Sequence, residues 1–172
     1  RTTELTASAH YLAGRVAIAR GDLETARTHA SEAIAAWLAL GDERQLAAAR
    51  KQLGTIEENL LHWDAAAALF AAALATWRRL DEPARAGNAL AQLAGVAYAQ
   101  GEIDRAIALE DEARALLVAG GDPFGAAMAV WYLGLFAVAQ GKSVEAARHY
   151  AACLRALVAL SGVDAMFKPL VG

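Results

Sequence analysis

The side chains able to do chemistry in this 172-residue chain are scattered along it, and that bounds what the chain can do. Its four histidines, His10, His29, His62 and His149, are read as having no second ligand four residues away on the same helical face. A metal site is therefore not expected, and surface or helix-capping positions are the default for each. Cys153 stands alone, which rules out an internal disulfide and a cysteine zinc cluster. No Ser/His/Asp or Cys/His set, phosphate-cradling loop or paired-carboxylate pattern is identifiable; Gly120-Gly121 lacks the lysine that phosphate binding needs. Glu110-Asp111-Glu112 and Arg78-Arg79 read as solvated faces. Neither catalysis nor a cofactor is expected, so the remaining polar and aromatic residues are read as binding groups.

What positions them is a repeat. A shift of 40 residues aligns Gly14, Gly54, Ala94 and Gly134, then Gly21, Leu61, Gly101 and Gly141, then Ala26, Ala66, Ala106 and Ala146. Each unit is too small to bury its own apolar face, so neighbours must stack. The units run from about 3 to 41, 42 to 81, 82 to 121 and 122 to 161, with 163–172 as the start of a fifth. Within each, apolar residues recur at three and four residues, the period of a helix face, on both sides of the central Gly or Leu61. Gly41-Asp42, Asp81-Glu82-Pro83 and Gly120-Gly121-Asp122-Pro123 stop one helix and cap or start the next. Leu61 breaks the glycine pattern, and its turn is expected to be built differently, because positive φ would cost it about 1–2 kcal/mol.

Composition excludes several classes. The net charge of −3, with Lys and Arg dispersed, lacks the footprint of a nucleic-acid binder. The longest apolar run, 65–75, is too short to cross a bilayer, which takes roughly 20 residues. With no signal-peptide pattern and a single cysteine, a cytoplasmic setting is expected.

Small residues 12 apart, one per helix, mark where the two helices of a unit cross closely: Gly14 with Ala26, Gly54 with Ala66, Ala94 with Ala106, Gly134 with Ala146. Together with Leu53, Leu93 and Leu133 before the first member, and Ala33, Ala73, Ala113 and Cys153 seven after the second, this resembles the tetratricopeptide repeat over essentially the whole chain. The period is six residues longer than that family's, and its flanking tryptophan and tyrosine are mostly absent. The phrases Leu40-Gly41-Asp42 and Ala139-Gln140-Gly141 resemble the arrays of LuxR-type ATP-binding (MalT-like) and AfsR-like bacterial transcriptional regulators. The resemblance implies an all-α, right-handed superhelix (α-solenoid) of four tetratricopeptide-like helix pairs plus a truncated ninth helix, cut from a longer regulator.

It also implies a concave surface lined by the first helices. The candidate partner-binding residues there are Tyr11, Arg15, Lys51, Thr55, Glu58, Asn59, Asn88, Tyr98, Trp131 and Leu135. Trp131 either lines this groove or packs between units. Trp37 and Trp77 are expected in the inter-unit core. The expected ligand is a protein segment or a small-molecule effector; the rival is a structural spacer or dimerisation scaffold with no ligand of its own, a homodimer forming through an open solenoid end.

Overall fold

The computed structural model describes residues 2–162. Among these there are eight α-helices and no strand: α1 (Thr2–Ala19), α2 (Leu23–Leu40), α3 (Glu43–Asn59), α4 (Trp63–Arg79), α5 (Pro83–Ala99), α6 (Ile103–Ala119), α7 (Pro123–Ala139) and α8 (Ser143–Ser161). This is the expected all-α solenoid. The proposed ninth helix, 163–172, lies outside the described residues. Each helix packs on its sequence neighbours, and α1, α3, α5 and α7 also touch in succession along one side.

One turn recurs about every 20 residues. Gly21, Gly41, Leu61, Asp81, Gly101, Gly121, Gly141 and Gly162 all have positive φ. At most of them the next N–H reaches back to the carbonyl five residues before it, as Asp22 does to Ala17, His62 to Glu57 and Glu102 to Ala97. The expectation for Leu61 is corrected: its turn is the common one, entered at φ 62 by a leucine. Nothing lies within 4 Å of where a Cβ would stand at Gly21, Gly101 or Gly141, so the cost at Leu61 is one of backbone conformation alone. Asp81 enters the same region at φ 54, which aspartate tolerates better than leucine does.

The core is built largely of alanine. Ala26, Ala66, Ala106 and Ala146 are buried, as are Trp37, Trp77 and Leu117 between pairs. Aromatic rings sit over two of the paired small residues: a methyl group on Gly54 would come within 2.6 Å of the Phe70 ring, and one on Gly134 within 2.7 Å of Tyr150. At Gly14 the side-chain amide of Gln52 is nearest, and Ala26 O of the facing helix stands 3.5 Å from where a Cβ would be. Polar bonds stitch the pairs: Gln100 donates to Asp64 at 3.1 Å and Gln140 to Asp104 at 2.7 Å, which gives the Ala-Gln-Gly phrase its structural role. Arg78 with Glu112 adds an exposed ion pair between pairs, and Arg79 with Glu43 at 2.6 Å adds one within the second pair. No helix among the described residues is long and apolar enough to cross a membrane.

Candidate functional site

Where α3, α5, α6 and α7 meet, they border a half-open cavity of about 240 Å³. Its polar lining is Lys51, Asn88, Gln92, Glu110 and Asp122, and its apolar lining includes Ala91, Leu117, Phe124, Met128 and Tyr132. The helices place these residues because α3, α5 and α7 run side by side. Positions 48, 51, 88, 91 and 128, spaced by three or by 40, fall on one surface.

Glu110 sets the electrostatics. It is 1% exposed, and neither carboxylate oxygen has a hydrogen-bond partner among the described residues. Burial, helped by the neighbouring charge of Asp111, pushes its pKa up to about 8, so it is protonated at neutral pH. The reading of 110–112 as a solvated face is thus corrected for Glu110, although Asp111 and Glu112 are exposed. Lys51 is held below the usual ammonium range by burial and then by the charge of Arg85. Burial also raises Glu58. The walls therefore present a carboxylic acid, a lysine side chain and two carboxamides, all short of full solvation.

The ten candidate residues divide. Lys51 and Asn88 line the cavity. Thr55 stands at its edge, accepting from Gln92 Nε2 at 3.4 Å while its own hydroxyl donates to Lys51 O at 3.2 Å. Asn59 donates to Thr55 O at 2.7 Å, and Glu58 lies beside Gly95, 3.5 Å from where a Cβ would stand. Tyr98 stacks on Phe136, ring centroids 5.1 Å apart, and packs with Leu135 on the cluster around Ala94 and Ala106. Tyr11 packs on the cluster of Trp37 and Leu46, and Arg15 is exposed on α1. Trp131 is 38% exposed, set against Tyr132 and Tyr150, and is not part of the cavity lining.

Sequence reasoning missed Gln92, Glu110 and Tyr132. Glu110 had a signal: its equivalents at 40-residue spacing are Phe70 and Tyr150, so a carboxylate there occupies a core position. The histidine reading is corrected as well: Glu145 does stand four residues before His149 on α8, its Oε1 3.9 Å from Nε2. His10, His29 and Glu32 converge although no two are four residues apart, because α1 and α2 run antiparallel and face each other where their numbers sum to about 40. His62 bonds Glu57 at 2.7 Å, and Glu57, itself buried, also pairs with Arg27 at 2.8 Å.

No protein-family model matches the sequence, and no curated protein is significantly similar to it. Solved structures are. BtubC from P. vanneervenii has a TM-score of 0.82 at 22% identity, over 93% of this chain and 66% of its own. The Rap conjugation gene regulator of plasmid pLS20, in complex with the Phr* peptide, has a TM-score of 0.76 at 15% identity, over 85% of this chain and 41% of its own. A putative kinesin light chain of P. anserina with nearly identical TPR-like repeats has a TM-score of 0.69 at 15% identity, over 90% of this chain and 76% of its own. At these identities the likeness shows the fold, a tetratricopeptide-type array. The chain spans less than half the length of the Rap regulator and 66% of BtubC.

Proposed function

We propose that this array is a recognition module taking an extended peptide segment of a protein partner in the cavity between α3, α5, α6 and α7. The observation that carries the reading is Glu110, buried with both oxygens unpartnered beside Asn88 and Gln92. A buried polar group without a partner costs about 1–3 kcal/mol, which a ligand removes by bonding it. Carboxamides both donate and accept, as a peptide group does, and Leu117, Met128 and Tyr132 supply apolar walls for a side chain. The Rap regulator of similar fold was solved with a peptide, which supports this ligand class.

We place the module in the cytoplasm as the sensing part of a bacterial transcriptional regulator, on the resemblance of its repeat phrases. An ATPase or DNA-binding module adjoining these residues in the parent chain supports that setting; unrelated flanking modules remove it. The cavity itself is tested by selecting peptides from a display library against the purified chain and measuring their affinity by fluorescence anisotropy. Asn88→Ala and Gln92→Ala should each weaken binding roughly tenfold, the equivalent of 1.4 kcal/mol, with Asp104→Ala as the control on α6. Selected peptides that bind the Asn88→Ala/Gln92→Ala double variant as tightly as the parent would falsify the assignment.

A second reading, self-association through the α1 end, has its own observation. Val16 is 51% exposed, with Leu5 and Leu12 exposed on the same side, whereas its equivalents Ile56, Val96 and Phe136 are buried. Light scattering that gives a concentration-independent monomer removes it.

A further inference from the structure

The outer groove between α1 and α2 gathers three electron-pair donors that the cavity does not use. His10 Nδ1 lies 3.1 Å from His29 Nδ1 and 2.7 Å from Glu32 Oε2, and His29 Nδ1 is 3.5 Å from that same oxygen. A ring nitrogen carries either one lone pair or one hydrogen, so a single proton can bridge only one of these three pairs at a time. His10 Nδ1–H donating to the carboxylate, for instance, leaves no lone pair there for His29. A cation meets all three lone pairs together. From the three separations, a point about 2 Å from each atom lies roughly 1 Å above their plane, and about 2 Å is the zinc–ligand distance for imidazole and carboxylate.

The fold holds the donors in place. His29 and Glu32 are three residues apart on α2 and share a face. His10 comes from the antiparallel α1, brought near by the close approach at Gly14, 3.5 Å from Ala26 O to where a Cβ would stand. In the third pair the place of His10 is filled by Leu90, buried in the cluster that holds Trp77 of α4 and Ala113 of α6. No helix among the described residues covers α1 in the way α4 covers α5, so the three side chains remain half-open to solvent.

We propose that His10, His29 and Glu32 form a binding site for a borderline divalent cation of the zinc class, with water completing the coordination. Two imidazoles and a carboxylate suit Zn²⁺, and three protein ligands leave a fourth position free. The fourth pair supplies the internal control. His149 occupies the place of His29, but Val130 and Ala152 stand where His10 and Glu32 would be.

The experiment is isothermal titration of ZnCl₂ into the untagged, reduced chain in a non-chelating buffer. One equivalent should bind to the parent protein. His10→Ala, His29→Ala and Glu32→Gln should each weaken binding at least about tenfold, since even indirect supporting partners of metal ligands are worth 10–100-fold. His149→Ala should leave it unchanged. As a second readout, Co²⁺ should give the visible absorption of a four-coordinate ion, lost in His10→Ala, with far-UV circular dichroism confirming that each variant is helical. No uptake by the parent chain, or equal affinity in the His10→Ala/His29→Ala double variant, overturns the site.

Discussion

In the second helix pair, the ring of Phe70 sits fully buried over Gly54; forty residues on, in the third pair, Glu110 is just as buried opposite a helix carrying Ala94. The aromatic choice recurs in the fourth pair as Tyr150 over Gly134. Pairs two and four fill the space with a ring and need glycine beneath it. Pair three puts a carboxyl group there, leaves both oxygens unpartnered, and lies against the cavity. Pair one, with Ala30 at this position, has no ring either; what sets pair three apart is a buried carboxyl group there, and the proposed peptide site rests on that departure. Real folds break their own local rules chiefly at sites.

The largest test of this contrast is truncation on both sides of it. Phe70→Ala should destabilise the chain by about 3–5 kcal/mol, because it empties a closed space, whereas Glu110→Ala should cost far less, since it also removes an unpartnered polar group. Chemical denaturation of both variants at pH 7.5 measures this, and equal losses would mean that Glu110 is ordinary core. Next in size is a pH effect. Glu110 keeps its proton in the folded chain until about pH 8, while in the unfolded chain it ionises near 4.5. Above pH 4.5 the unfolded state thus binds fewer protons, and stability falls as pH rises through this window. Between pH 5 and pH 8 the fall should be roughly 3 kcal/mol. Glu110→Gln should flatten most of it, the residue being the smaller contribution of Glu58, which has the same sign. An unchanged slope in that variant would show Glu110 to be solvated.

Gly54→Ala comes third. Its methyl would meet the Phe70 ring, so a net loss of about 1–2 kcal/mol is expected after the helix preference for alanine is counted, while Ala94→Gly in pair three should lose about 0.5–1 kcal/mol for the opposite reason. Thermal melts of the two variants decide whether glycine is needed only under a ring. Smallest is the turn of pair two. Leu61→Gly should gain about 1 kcal/mol, because it relieves positive φ at an exposed position; a lowered melting temperature would mean that the leucine packs on something.

Much of the fold was legible because its causes are local: glycine and aspartate at the turns, prolines at Pro83 and Pro123, and an apolar period of 3.6 between them. Leu61 shows the limit of that reasoning. A turn imposed by helices on both sides is held by their packing, which overrides what one residue prefers. The cavity was half legible. Lys51 and Asn88 follow from register on the first helices, but Gln92 and Tyr132 lie one step round the helix from the face that was read. Glu110 comes from a second helix, and its acidic neighbours gave it the look of surface. The histidine cluster escaped for a geometric reason, since partners across an antiparallel hairpin have a constant sum of positions and no constant spacing.

Among the described residues each helix touches helices no more than two places away in sequence, so the array is held together by short-range links and can open from one end while the other stays folded. The cavity lining is the exception, drawing on α3, α5, α6 and α7 at once. A molecule seated there would act as a splint, tying the opening of the second, third and fourth pairs into one event and converting a chain that frays segment by segment into a single cooperative block.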